Sequence, residues 1–360
     1  MGGPNMDTVD IRNGIIPCDT ESPYVFISYS SCDQMLVYSD IRTLQQRGYN
    51  IWIDVHLDKS KPNWRDDALK AIENGTCELL IYYVSSSSLV SSPCYDELCT
   101  TFSDTAKARR LGNPVKILVI EAEEIGNAVA FTEQLHERVV TNYRDSQDEK
   151  DSKCETLHRI RTQFLNDNNR VRIRAKSTFS NEAAYYEEIE RDLARCQHSI
   201  RFTSEKAYRN AIKWIGQGRT DYAVSLLKTA ADQYVPAMLM LAHLYRHQDL
   251  SLANQWYRKA ENFQHSGRWL DCANEYRETK YYSEALAYFL GCGERYRDGE
   301  ALFRASQMWL GKGCHQQSIQ ALRASRDLGN KKAQTYYKYV MSASDDDIQK
   351  MAYKDESHIH

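Results

Sequence analysis

Over the first half of the chain, short apolar runs alternate with stretches of helical periodicity. Tyr24-Val25-Phe26-Ile27 has strand length and leads into a polar loop, Ser28 to Asp33. Gln34 to Arg47 then places Leu36, Ile41 and Leu44 on one side of a helix, with Gly48 as its stop. Asn50 to Asp54 reads as a second strand, and a polar loop with Pro62 leads to a helix over Trp64 to Glu73. Leu79 to Val84 reads as a third strand. A serine-rich loop follows, then a helix from Pro93 to about Arg110, with Ser92 as its cap and Pro93 at its first position. Val115 to Glu121 is the fourth strand. Phe131 to Val140 reads as helix, the charged stretch Tyr143 to Lys153 as loop, and Val171 to Arg174 as a last strand. Asn181 to Cys196 closes the region as a helix capped by Asn181. Strand and helix in repeated alternation predict a parallel sheet with helices on both faces. The unbroken apolar run from Leu79 to Val84 fits a strand buried on both sides.

After Ser199 the strand signals stop and helical periodicity runs to about Val340. Small residues recur at a near-constant interval: Ala223, Ala253, Ala285 and Ser318 step by 30, 32 and 33 residues. A small residue at that place lets the two helices of a hairpin approach closely. The preceding helices contribute Ala237, Leu241 and Tyr245, then Ala273 and Tyr276, then Ala305 and Trp309. Over roughly Glu205 to Tyr339 the pattern resembles tetratricopeptide-like repeats of the Sel-like subclass, which implies an all-α solenoid whose concave face binds a partner.

Composition narrows the picture further. With 360 residues the chain is long enough for two domains, each with a core of its own. The expected division is a flexible leader over 1–22, an α/β domain over 23–198, helical repeats over 199–342 and a polar tail over 343–360. A formal charge of -3 exerts no global pull toward nucleic acid or an anionic membrane. The ten cysteines are scattered with no CxxC pair, so a structural zinc site is not expected. No apolar run approaches the ~20 residues of a membrane helix, and the start of the chain has no secretory pattern. The expectation is a cytoplasmic protein with reduced thiols. His243 and His247 stand i, i+4 but lack the HExxH context of a metal helix. Gly291-Cys292-Gly293 follows a helix rather than a strand and is not read as a dinucleotide loop.

Four blocks in the α/β region carry a family resemblance. They are Tyr24 to Ser30 with Asp33 after it; Gly48-Tyr49-Asn50-Ile51-Trp52-Ile53-Asp54; Trp64 with Ala68, Ile72 and Glu73; and Ser85 followed by Ser91-Ser92-Pro93-Cys94-Tyr95-Asp96-Glu97-Leu98. Their order and spacing resemble a Toll/interleukin-receptor (TIR) domain, as does Phe179-Ser180-Asn181 leading into Tyr185, Tyr186 and Ile189. The resemblance implies a flavodoxin-like α/β fold. In its NAD-cleaving members a glutamate at the position of Glu97 contacts the ribose next to nicotinamide. A carboxylate there stabilises the oxocarbenium character that builds as the bond to C1′ breaks. Other groups follow by position. Tyr29 and Trp64 would stack on a ring or wall the site, Ser28, Ser30 and Asp54 would hold ribose or phosphate, and Lys59, Lys61 and Arg65 would meet the pyrophosphate. Ser85 and the small thiol of Cys94 complete the expected lining. This chain departs from many relatives in carrying Pro93 where they have tryptophan, and Ser30-Ser31-Cys32 where they have a basic residue.

Two functions compete at this point. One is an NAD glycohydrolase or cyclase, with NAD as substrate, no cofactor and no metal. It would self-associate through the TIR region, and an unidentified protein or small molecule on the repeats would trigger it in immune or cell-death signalling. The other is a non-enzymatic adaptor acting through TIR–TIR and repeat-mediated contacts. Glu97 is the feature that favours the enzyme.

Overall fold

The computed structural model describes residues 14–57, 63–109, 112, 114–165, 172–196 and 199–342. The chain forms two compact units that meet in sequence between Phe202 and Thr203.

The first unit is a five-stranded parallel sheet in the order β2-β1-β3-β4-β5. Its strands are β1 (Tyr24–Ser28), β2 (Ile51–Trp52), β3 (Cys77–Val84), β4 (Lys116–Glu121) and β5 (Arg172–Ile173). Its helices are α1 (Gln34–Gln46), α2 (Trp64–Glu73), α3 (Ser92–Thr100), α4 (Asp104–Arg109), α5 (Ala128–Thr141), α6 (Gln147–Ile160) and α7 (Glu182–Leu193). All eight residues of β3 are buried, as a strand covered on both faces requires. Successive side chains part to opposite faces. Val25, Ile27, Leu79, Ile81 and Tyr83 join α1 and α7 in one core layer. Tyr24, Phe26, Leu80, Tyr82 and Val84 join α2, α3, α5 and α6 in the other.

Several boundaries differ from expectation for visible reasons. The second strand shrinks to Ile51–Trp52, because Asp54–His56 turn into a 3-10 helix. The helix expected from Pro93 to Arg110 breaks at Thr101–Ser103 into α3 and α4. Ser91, not Ser92, is the N-cap of α3, its hydroxyl accepting from the Cys94 N–H. The stretch expected as loop over Tyr143–Lys153 holds the start of α6, opened by a capping box between Ser146 and Glu149. The end of the supposed leader is tied down. Ile15 is fully buried. The Gln45 side-chain amide bonds both backbone groups of Ile16, at 2.8 and 2.7 Å, and the Asn50 amide bonds both of Asp19, at 3.0 and 2.8 Å. Residues 1–13 and the expected tail 343–360 lie outside the described residues. The boundary also moves from 198 to 202, because Asn50 N–H donates to Ile200 O and Phe202 N–H to Gly48 O.

The second unit stacks helical hairpins in a solenoid-like arrangement: α8 (Ser204–Gly216) with α9 (Thr220–Ala230), α10 (Val235–Tyr245) with α11 (Leu250–Phe263), α12 (Trp269–Glu278) with α13 (Tyr282–Arg295), α14 (Gly299–Gly311) with α15 (His315–Asp327), then α16 (Lys331–Ser342). The four recurring small residues, Ala223, Ala253, Ala285 and Ser318, are all buried. Three hairpin turns place a residue at the same point in the left-handed region: Gly218, Gly313 and, without glycine's freedom, Lys280 at φ 65°. The stack is tightly wound, so hairpins two apart also touch. Tyr208 of α8 donates to Ser283 O of α13, at 2.5 Å, and His243 of α10 lies 6.3 Å from the Trp309 ring of α14. Ten consecutive residues of α13, Glu284 to Gly293, are buried. Gly291-Cys292-Gly293 has a packing role here: a Cβ on Gly293 would come within 2.3 Å of Leu302, and one on Gly291 within 3.1 Å of Leu239. No helix among the described residues is long and apolar enough to cross a membrane.

Candidate active site

The strand order reverses between β1 and β3, and the crevice of an open parallel sheet lies at such a switch point, beyond the carboxyl ends of the strands. Hydrogen bonds join the loops there. The Ser85 hydroxyl after β3 donates to Asp33 Oδ2 at 2.6 Å, and Tyr29 OH after β1 donates to Asp54 Oδ1 at 2.9 Å. Ser85 and Ser88 close their own turn, each backbone N–H donating to the other's hydroxyl, at 2.8 and 3.0 Å. The serine loop is thus a fixed shelf rather than a loose polar segment.

Alternation along β1 divides the expected site residues between the two faces of the sheet. Ser28, Cys94, Glu97, Trp64 and Arg65 lie on the α2/α3 side. Tyr29 lies on the α1 side, packed against that core layer and bonded to Asp54 and, at 3.0 Å, to Tyr38 OH. Glu97, partly buried, shares a shallow groove with Trp64, Arg65, Ala68, Leu69, Pro93 and Asp96. The groove has room for only about 20 Å³. Its walls are the first turns of α2 and α3, which both start at the carboxyl edge and pack on each other. The Arg65 guanidinium lies 5.6 Å from the centre of the Trp64 ring, so a cation and an aromatic face stand beside the carboxylate.

Behind the groove the surroundings are buried and acidic. Burial, and then the Glu97 charge, push the Cys94 thiol up to about 12, which removes it as a nucleophile. Burial also raises Asp33 above the ordinary carboxylate value; the Ser85 hydrogen bond offsets part of the rise and the Glu123 charge adds to it. The Ser28 hydroxyl at the end of β1 is fully buried. It faces the Cys94 thiol, a weak partner, and meets no other hydrogen-bonding group among the described residues. Ser30 uses its hydroxyl to accept from the Cys32 N–H at 3.4 Å. Lys59 and Lys61 lie outside the described residues.

Residues 25–158 match the family model described as TIR domain. This segment is a TIR domain. No curated protein and no solved structure matches the chain. Some pairings of polar groups in the TIR domain carried no local signal. Asp33 meets Ser85 across 52 residues, and Glu123 accepts from the Ser86 N–H. Only the topology joins these groups; the one clue was that each falls just after a strand. His243, half of the i, i+4 pair in the repeats, bonds Glu294 Oε1 at 2.8 Å through Nδ1.

Proposed function

We propose that the TIR domain cleaves the nicotinamide–ribose bond of NAD, with Glu97 as the carboxylate that steadies the ribose as positive charge develops on it. The observation that carries this reading is the placement of Glu97 beside Trp64 and Arg65, at the carboxyl edge where the strand order reverses. Trp64 offers a face for a flat ring and Arg65 a fork for a phosphate. The buried Ser28 hydroxyl has hydrogen-bonding capacity to spare. Nicotinamide leaves neutral, so the site needs no strong acid. Attack by water on C1′ gives ADP-ribose; attack by the adenine of the same molecule gives a cyclic ADP-ribose. NAD is the substrate and no cofactor takes part.

The groove also favours a second reading. Its volume falls below the ~300–1,000 Å³ of ordinary small-molecule pockets. A dinucleotide would need a further wall, which self-association of TIR domains would supply; otherwise the unit is a non-enzymatic adaptor. In the enzymatic reading the repeat unit receives the trigger, in an immune or cell-death setting. The deciding measurement is nicotinamide release from NAD at high protein concentration, with products identified by mass spectrometry. The wild type is expected to release nicotinamide and Glu97→Gln to lose about 10²-fold or more in rate. A concentrated, assembled wild type that releases none leaves the adaptor. Full activity in Glu97→Gln moves the chemistry to another residue.

A further inference from the structure

A cavity of about 440 Å³ lies on the TIR domain between α5 and α6. Thr132, Glu133 and His136 of α5 line it, with Cys154, Leu157 and His158 of α6 and Arg161 just beyond. That volume suits a small molecule. The lining is divided. Leu157 and Cys154 form an apolar floor, while two imidazoles and a guanidinium stand at the mouth. Among the described residues neither imidazole has a hydrogen-bond partner. Among the described residues Arg161 pairs with Glu133 alone, at 3.6 Å, with side chains 31% and 64% exposed. An ion pair that long and that exposed contributes little, so a better anion displaces it readily. The backbone at Arg161 is also unusual. The α-helix gives way there to a π-turn, Arg161–Leu165, a feature that recurs where a helix is reshaped for function.

We infer that this cavity binds a small organic anion, its phosphate or carboxylate held by Arg161, His136 and His158 and its body lying on Leu157 and Cys154. The occupant also braces α6, which packs on the Ser88–Val90 turn and on α3, the helix of Glu97. Arg159 of α6 covers the Tyr95 ring of α3 at 5.5 Å. The site therefore lies behind the support of the proposed catalytic glutamate. Only the functional meaning of that bracing rests on the NAD-cleaving reading; binding itself does not.

The test uses the full chain, titrated calorimetrically with ribose 5-phosphate and with gluconate as its carboxylate counterpart. Binding of either at a Kd near or below about 1 mM is expected. Arg161→Gln should weaken it about tenfold or more. Glu133→Gln removes the competing carboxylate and should tighten it. Both side chains lie at the surface, so neither change threatens the fold. Preference between the two probes identifies the head group. Failure of both probes to bind, or equal binding in wild type and Arg161→Gln, overturns the site. Hydrogen exchange with the bound probe should slow in both Gln147–Ile160 and Ser92–Thr100. Slowing in the first segment alone overturns the bracing of α3. Nicotinamide release is not needed for any of these results, so a failure of the catalytic reading is seen separately.

Discussion

Asp40 carries its carboxylate where water does not reach, and four side chains share it. Tyr185 OH donates to it at 2.7 Å, Tyr186 OH at 2.8 Å and Tyr83 OH at 3.2 Å, and the Lys176 ammonium stands at 3.4 Å. The bonds tie α1 to β3, to α7 and to the loop before α7. Removing one partner of a buried ion pair leaves the other unmet, at a cost of about 3–5 kcal/mol. Asp40→Ala is therefore expected to lower the stability of the TIR unit by that amount in urea unfolding; a loss under about 1 kcal/mol would mean that water reaches the space left behind. Nothing local marked Asp40, which reads in sequence as one more charge on a helix. Its role comes from partners 43 to 146 residues away. Asp33 and Ser85 each stand in a block that the sequence marks, but their bond across 52 residues was not legible, being made only by the parallel topology.

Among the elements, the central strands were legible over nearly their full length, while the edge strands were expected in place but longer than they are. A strand buried on both faces is an unbroken apolar run, and β3 shows it. At the edges β2 and β5 pair over two residues each, too few to set a period. Helix α6 was hidden for a related reason: its exposed side is densely charged, and only Thr156, Leu157 and Ile160 are buried. Its start depends on the Ser146 hydroxyl, so Ser146→Ala should cost about 1 kcal/mol and speed amide exchange in the first turn. In the repeats, Gly293→Ala must push aside Leu302 and should cost about 1–3 kcal/mol. Gly311→Ala, in the last turn of α14 with open space around it, should instead stabilise by a few tenths to about 1 kcal/mol. Glu294 adds a dependence on acid. It is buried, and although burial opposes its charge, His243, Arg246 and Tyr257 hold its carboxyl below the ordinary value of 4.5. A carboxyl depressed in the folded state stabilises fully above its unfolded value and loses that contribution as pH falls through the folded one. The repeat unit should therefore lose helical signal progressively below pH 4.5, and Glu294→Gln should flatten that dependence.

For the whole molecule, periodicity gave the two architectures and most of the division between them, because each unit has its own period. The outer limits were harder to read. Ile15 and Ile16 are a lone apolar pair with no repeat around them, so their burial beside the sheet had no pattern to reveal it. A chain starting at Tyr24 should melt several degrees below one starting at Gly14, since burial of Ile15 alone contributes about 1.5–3 kcal/mol. Equal melting temperatures would show that the segment rests on the domain without supporting it. The winding of the repeats was likewise unwritten in the interval between small residues, because contacts between hairpins two apart depend on the pitch of the stack. Contacts from the two preceding hairpins gather on α13. Near its start Glu284 receives Arg209 at 2.9 Å and Tyr234 at 3.2 Å; near its end Glu294 receives His243, Arg246 and Tyr257. The two carboxylates lie ten residues apart on one helix and fit different partners at once. One residue inserted between them would swing one carboxylate about 100° from its partners. Changes of chain length can accumulate in the hairpin turns over evolutionary time, but the span from Glu284 to Glu294 behaves as a ruler whose length cannot drift.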